Sequence, residues 1–547
     1  MQRRRFFASL GALTSAWSIR DAFSATQAKS AESGSAGAGA GASRLADRTT
    51  SAPEAGTNVS TQAIASSAVA ELRHYLKRIA AMDRSGPRLR SMLELNPDAM
   101  RIAGERDAER EAGVFKGPLH GVTVAVKGNI ATGDAMATNA GSLALDGVRA
   151  THDAFVIKRL REAGAVIIGK TNLTEWANMR SSRSTSGWSG VGGLTRNPYA
   201  LDRSTSGSSS GSAAAVAAGL VAMSIGTETD GSITSPASIN GLVGLKPTVG
   251  RVSRDGIIPI SSSQDTAGPI VRTVRDAAVL MSAIAAIDPN DSAMRQAPVS
   301  DDYVTALNTD ALRGARIGVA RNFFTGHDEI DAQIELALAK LRALGAVVID
   351  PVDLPKVTYD TQELSVLLHE FKHGVAAWLG AYAPHAKVRN LADVIAFNEA
   401  HREREMPFFG QDLIIQAQAL GGLDSDIYLQ ALDICRKASR TEGIDKVLAD
   451  NKLDAIVAPT GGTAWLTDFI NGDDPGSGFS TPAAVAGYPH LTVPAGFVRG
   501  LPVGLSFVGP AWSEARLLGF GYAYEQATLW RREPRFVERT SVPSLDT

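Results

Sequence analysis

Arg203-Ser-Thr-Ser-Gly-Ser-Ser-Ser-Gly-Ser-Ala-Ala-Ala-Val-Ala-Ala-Gly219 is the stretch on which the fold turns. Its core, Gly207-Ser-Ser-Ser-Gly211, formally satisfies G-x-S-x-G, the turn that carries the nucleophile of an α/β-hydrolase esterase. That turn needs a hydrophobic strand immediately before it. Asn197-Pro-Tyr-Ala-Leu-Asp-Arg-Ser-Thr-Ser206 contains a proline and no apolar run, so the strand is missing. The residues after the core do fit a helix: Ser212 to Leu220 is apolar and small, suited to close burial on a sheet. The stretch therefore reads first as a hydroxyl-rich loop feeding a buried helix, with the hydrolase elbow of an esterase left as the weaker alternative.

Upstream, Gly121-Val-Thr-Val-Ala-Val126 is a short β-prone run ending at Lys127. A helical pattern runs through Ala154–Ala163, then the strand-like Ala165-Val-Ile-Ile168. Leu72, Tyr75, Leu76 and Ile79 recur at i, i+3, i+4 and i+7, the mark of an amphipathic helix. Further on, Arg316–Val319 and Ala346–Ile349 read as strands flanking a helix from about Ala332 to Leu344. This alternation predicts an α/β architecture with a largely buried sheet. No internal repeat stands out and no linker interrupts Leu72 to Glu525, which predicts a single catalytic domain.

Composition narrows the class. Of 547 residues, 44% are hydrophobic and 20% charged, as in a globular protein, and a net charge of −2 gives no electrostatic reason to expect nucleic acid. The single cysteine, Cys435, excludes an intramolecular disulfide and a cysteine-rich metal site. Arg3-Arg-Arg-Phe-Phe7 precedes an apolar run to about Ile19 and the small residues of Ala22-Phe-Ser24. Residues 1–24 are thus expected to be a twin-arginine-like signal for export to the periplasm or beyond. Residues 25–61, rich in Ala, Gly, Ser and Thr, read as a flexible tether, leaving 62–540 for the catalytic domain. No apolar run reaches bilayer length, so no stable membrane insertion is expected.

Three features compete for the chemistry. His369-Glu-Phe-Lys-His373 satisfies H-E-x-x-H, the zinc metalloprotease pattern, but no third ligand stands at a fixed spacing. A β-lactamase-type serine–lysine site requires S-x-x-K, and no lysine in the chain has a serine three residues before it. The remaining combination is Lys127 at a strand end, Ser208 in the opening loop, and Ser232 in Ile225-Gly-Thr-Glu-Thr-Asp-Gly-Ser-Ile-Thr-Ser-Pro-Ala-Ser238. A buried lysine acts as a base once its pKa falls from about 10.4 towards roughly 7–8, and burial penalises the ammonium form.

These blocks, in order, resemble the amidase signature family from about Leu95 to Glu525. The likeness runs through G-P-L-H-G-V-T-V-A-V-K-G-N-I, K-T-N-L-T-E-W-A-N, the opening stretch, G-T-E-T-D-G-S-I-T-S-P-A and A-G-Y-P-H-L-T-V-P-A-G. The resemblance implies a large twisted mixed sheet wrapped by helices and no cofactor or metal. It implies Lys127 as base, Ser208 as a bridging serine on a cis peptide, and Ser232 as nucleophile. The backbone N–H groups of Thr229, Asp230, Gly231 and Ser232 then fall where the family holds its oxyanion. Within the family, S-T-S-G-W-S, G-S-S-S-G-S and T-E-T-D-G-S look most like the bacterial peptide amidases, which act on C-terminal amides. A broad aliphatic or aryl amidase and a glutamine amidotransferase subunit stand as alternatives, the second disfavoured by an export signal. The chain departs from the family in Gly128, where an aspartate is usual, and in Thr234, where arginine is common; Asp230 replaces the usual glycine.

Overall fold

A computed structural model describes residues 67–298, 302–355 and 359–540. The expected signal and tether lie outside the described residues. Thirteen strands appear in chain order: β1 Met92–Leu95, β2 Thr123–Lys127, β3 Val166–Thr171, β4 Trp188–Ser189, β5 Gly193–Leu194, β6 Met223–Glu228, β7 Val243–Lys246, β8 Thr266–Val271, β9 Arg316–Val319, β10 Val347–Ile349, β11 Ala455–Pro459, β12 His490–Val498 and β13 Leu501–Val508. Eleven of them form one sheet in the order β1-β3-β2-β6-β8-β7-β12-β13-β11-β9-β10, and β4 with β5 makes a separate ribbon. The large sheet is mixed. β2 runs parallel to both neighbours, β3 and β6, whereas β6–β8 and β7–β8 are antiparallel.

The centre of the sheet reads as buried sequence should. All five residues of β2 and all six of β3 and β6 are buried, as expected of parallel strands covered on both faces. The helix Ser210–Ala217 is buried along its whole length. Its small side chains let its backbone come against the sheet and β3's exit: a Cβ on Gly211 would stand 2.3 Å from the Ser91 carbonyl oxygen and 2.5 Å from the Asn172 nitrogen. Glycine is required there.

The other expected elements appear with small shifts. The helix Ala68–Met82 buries Leu72, Tyr75 and Ile79, and its Ser67 hydroxyl accepts the Ala70 N–H as an N-cap. The helix Phe155–Glu162, β9 and β10 fall where the periodicity places them. The helix Asp328–Ala343 begins four residues ahead of the expected start. Its first turn carries Asp328, Glu329 and Asp331, which suit the positive end of a helix dipole although they resemble a polar loop. Among the described residues, no helix is long and apolar enough to cross a membrane.

Topology sets the place of the chemistry. Because β2 and β6 are parallel neighbours with Val126 opposite Ile225, both carboxyl ends emerge at one edge. Such an edge is where open α/β sheets form their crevices.

Candidate active site

Lys127 ends β2, and none of its surface is exposed. Its Nζ lies 2.7 Å from Ser208 Oγ, 2.8 Å from Thr227 Oγ1 and 3.2 Å from the Thr227 carbonyl oxygen. Nζ thus donates to three oxygens, the Ser208 hydroxyl and both oxygens of Thr227, which fix its direction towards Ser208. Burial pulls the Lys127 pKa down from 10.5 to about 7, against the opposing pull of the Asp265 and Glu228 carboxylates. Thr227 is itself held by an Asn129 Nδ2 donor at 3.1 Å and by Ser209, whose Oγ donates to the Thr227 carbonyl at 3.1 Å.

Ser208 precedes the buried helix, joined to Gly207 by a cis peptide bond as the resemblance implies. The Ser209 N–H donates to the Ser232 carbonyl at 3.2 Å, and the Ser206 and Ser235 hydroxyls lie 2.8 Å apart. The two serine loops are therefore stitched together on both sides of Ser208, at Ser232 itself and at Ser235. Ser208 is sealed from solvent, whereas Ser232 keeps 6% of its surface.

After Glu228 the chain leaves β6 in a turn, with Gly231 at φ +74°, a conformation glycine adopts without penalty. The backbone N–H groups of Asp230, Gly231 and Ser232 make no hydrogen bond with another described residue. The turn is anchored from below. The buried Glu228 carboxylate accepts the N–H groups of Ile233 at 2.7 Å and Thr234 at 2.9 Å, and the Thr234 hydroxyl at 3.2 Å. Thr229 Oγ1 donates to Asp265 at 2.5 Å, and Asp265 also accepts the N–H groups of Ile260 and Ser261. Burial pushes the Asp265 pKa up to about 6.

Above these loops opens a cleft of about 290 Å³, walled by Ser206, Gly207, Asp230, Gly231 and Ser235 and by the segment from Thr460 to Ser480. Trp465 and Asp473 come from that segment; Asp473 accepts the Ser186 N–H at 3.0 Å and the Trp465 indole N–H at 3.0 Å. Asp230 Oδ2 accepts the Thr481 hydroxyl at 2.6 Å.

The departures from the family pattern have local causes. A Cβ on Gly128 would stand 2.6 Å from Leu93 Cδ1 and 3.1 Å from Leu173 Cδ2, so apolar packing takes the space an aspartate would need. Thr234 is spent on Glu228. The competing motifs are committed elsewhere. No strand precedes Gly207, so the hydrolase elbow is not formed. In H-E-F-K-H, on the helix Asp360–Tyr382, Glu370 accepts the Tyr428 hydroxyl at 2.6 Å and the Ser263 N–H at 3.0 Å. His369 Nδ1 lies 2.7 Å from the Ser365 carbonyl oxygen and His373 Nε2 3.2 Å from that of Gly421. Among the described residues, no group of three or more His, Cys, Asp or Glu could hold a metal ion.

A mixed sheet that gathers a buried lysine, two stitched serine loops and a turn of free amides at one edge defines an amide-hydrolysing α/β enzyme. The model of the family described as Amidase matches residues 70–518. The chain is 42% identical over 471 residues to a probable amidase of Arabidopsis thaliana, across 84% of this chain and 87% of the relative. It is 37% identical to a glutamyl-tRNA(Gln) amidotransferase subunit of Halorhodospira halophila, across 84% of this chain and 93% of that one. Among solved structures, the native peptide amidase of Stenotrophomonas maltophilia superposes with a TM-score of 0.85 at 51% identity, covering 88% of this chain and 99% of that one. The chain belongs to the amidase signature family.

Proposed function

We propose that this enzyme hydrolyses the C-terminal amides of peptides to the free acid and ammonia, with Ser232 as nucleophile, Ser208 as proton relay and Lys127 as base. Ser232 Oγ attacks the amide carbon as its proton passes to Ser208 Oγ, whose own proton passes to neutral Lys127. A hydroxyl both donates and accepts, so Ser208 relays without holding charge. The oxyanion is held by the backbone N–H groups of Thr229, Asp230, Gly231 and Ser232; losing one such donor costs on the order of 10²–10³ in rate. Lys127 then returns its proton through Ser208 to the departing nitrogen, ammonia leaves, and water repeats the sequence on the acyl-enzyme.

The observation that carries the reading is the sealed 2.7 Å contact between Lys127 Nζ and Ser208 Oγ, with the lysine pKa drawn to about 7. The likeness to the Stenotrophomonas peptide amidase at 51% identity supports the substrate class. The test is ammonia release from amidated dipeptides, a fatty amide, an anilide and free glutamine. Release fastest from the dipeptide amides supports the reading; a preference for the fatty amide or anilide overturns the substrate. Glutamine turnover would favour an amidotransferase, the activity named for the Halorhodospira relative. The arginine cluster and apolar run of residues 1–24 support export. Retention in the cytoplasm on cell fractionation would overturn that part.

A further inference from the structure

The cleft that receives the acyl group is unusual in its charge. Among the described residues its wall holds two carboxylates, Asp230 and Asp473, and no lysine, arginine or histidine. The rest is serine, threonine, glycine, asparagine and proline, with Ile239 and Trp465 as the bulky apolar faces. Neither carboxylate forms an ion pair with another described residue. Asp473 is held by neutral donors alone, the Ser186 N–H and the Trp465 indole. Asp230 likewise meets only neutral donors, the Thr481 hydroxyl on Oδ2 at 2.6 Å and the neighbouring Ser480 hydroxyl.

Asp230 and Gly231 directly precede Ser232, and Gly207 adjoins Ser208. An acyl carbon at Ser232 Oγ therefore has its substituents in this cleft. We propose that Asp230 and Asp473 make the enzyme selective by charge: neutral and cationic acyl groups are accepted, and those bearing a carboxylate next to the reacting amide are refused. The proposal rests on the peptide-amide reading and names a substrate subclass within it. Like charges brought together in a partly dry site repel strongly; among the described residues no cation lines the wall, and the buried Lys246 reaches Asp230 only through space. Peptide amides ending in glutamate or aspartate fall in the refused class.

The test uses N-acetylated dipeptide amides whose last residue is norleucine, lysine or glutamate, assayed by ammonia release at pH 8. The expected kcat/KM for the glutamate compound is about 100-fold below that of norleucine, with lysine at least equal to norleucine. Asp473→Asn and Asp230→Asn should each narrow the glutamate-to-norleucine gap about tenfold. Because the gap is a ratio within one variant, a general loss of rate cancels from it. A gap under threefold in the wild type, or a gap unchanged in both variants, overturns the proposal. Calorimetric binding of the same amides to Ser232→Ala reads the preference without turnover, and equal affinities there overturn it as well. Failure to hydrolyse the norleucine compound, with the binding preference intact, sinks the peptide-amide reading and leaves the charge selection standing.

Discussion

Lys127 Nζ and Ser208 Oγ face each other across 2.7 Å in a space closed to solvent, and among the described residues the other partners of that amine are the two oxygens of Thr227. No carboxylate among the described residues touches it. The amine is thus kept near neutrality by burial, with Asp265 and Glu228 pulling the other way from a distance.

This arrangement predicts the acid limb of the pH profile. The working form is the neutral amine, whose fraction falls as pH drops through a pKa of about 7. For a neutral peptide amide, kcat/KM should level off above pH 8 and fall about tenfold per unit well below the midpoint. Asp265→Asn removes the larger of the two charges holding that pKa up, so its midpoint should move to lower pH. A profile flat from pH 5 to 8 would contradict the assignment of Lys127 as base.

The two serines should fail differently. Ser232→Ala removes the attacking atom, so ammonia release should vanish and no acyl-enzyme mass should appear on rapid quenching. Ser208→Ala breaks only the proton path, and a general-base relay contributes typically about 10²–10⁴-fold. A residue of activity, with an acyl-enzyme that still forms slowly, should remain. Equal and complete loss of acylation in both would count against the relay.

The fold carries a prediction of its own in Gly211. An added methyl there meets the backbone of Ser91 and Asn172 at 2.3 and 2.5 Å, atoms that cannot swing aside. Overpacking of this kind costs about 1–3 kcal/mol or more. Gly211→Ala should lower the melting temperature and soluble yield. Gly104→Ala is the matched control: it lies in the helix Ala99–Glu111 with nothing within 4 Å of its Cβ, and it should gain about 0.5–1 kcal/mol. Melting temperatures moving in the same direction would refute the packing argument.

Much of this was legible in the chain because it is local. The buried run of β2, the small-residue helix after Ser209 and the amphipathic helix at Leu72 each announce themselves by composition or period within a dozen residues. Thr227, Asp265 and Asp473 do not. Thr227 matters because β2 and β6 lie side by side, and Asp265 because β8 returns antiparallel with Thr266 opposite Glu228. Asp473 matters because a distant, glycine-rich segment folds over the cleft. No periodicity records strand order, so these partners emerge only from tertiary pairing. The one local signal was the alternation of Thr227 with Thr229 along G-T-E-T-D, which puts two hydroxyls on one side of the strand end.

Glu228 offers the sharpest separation of scaffold from chemistry. Its buried carboxylate sits beneath the turn that carries Ser232 and gathers two backbone N–H groups and the Thr234 hydroxyl. Glu228→Ala strands those donors, at about 1–3 kcal/mol for each buried group left unsatisfied, and frees the turn to move. The melting temperature should fall, and kcat should fall with it. Glu228→Gln keeps an acceptor oxygen for the turn but removes a negative charge that props up the Lys127 pKa. That variant should keep most of its stability and shift the acid limb to lower pH. If Glu228→Gln instead loses activity with an unmoved pH midpoint, the carboxylate acts on the turn alone, and the electrostatic link from Glu228 to the lysine is wrong.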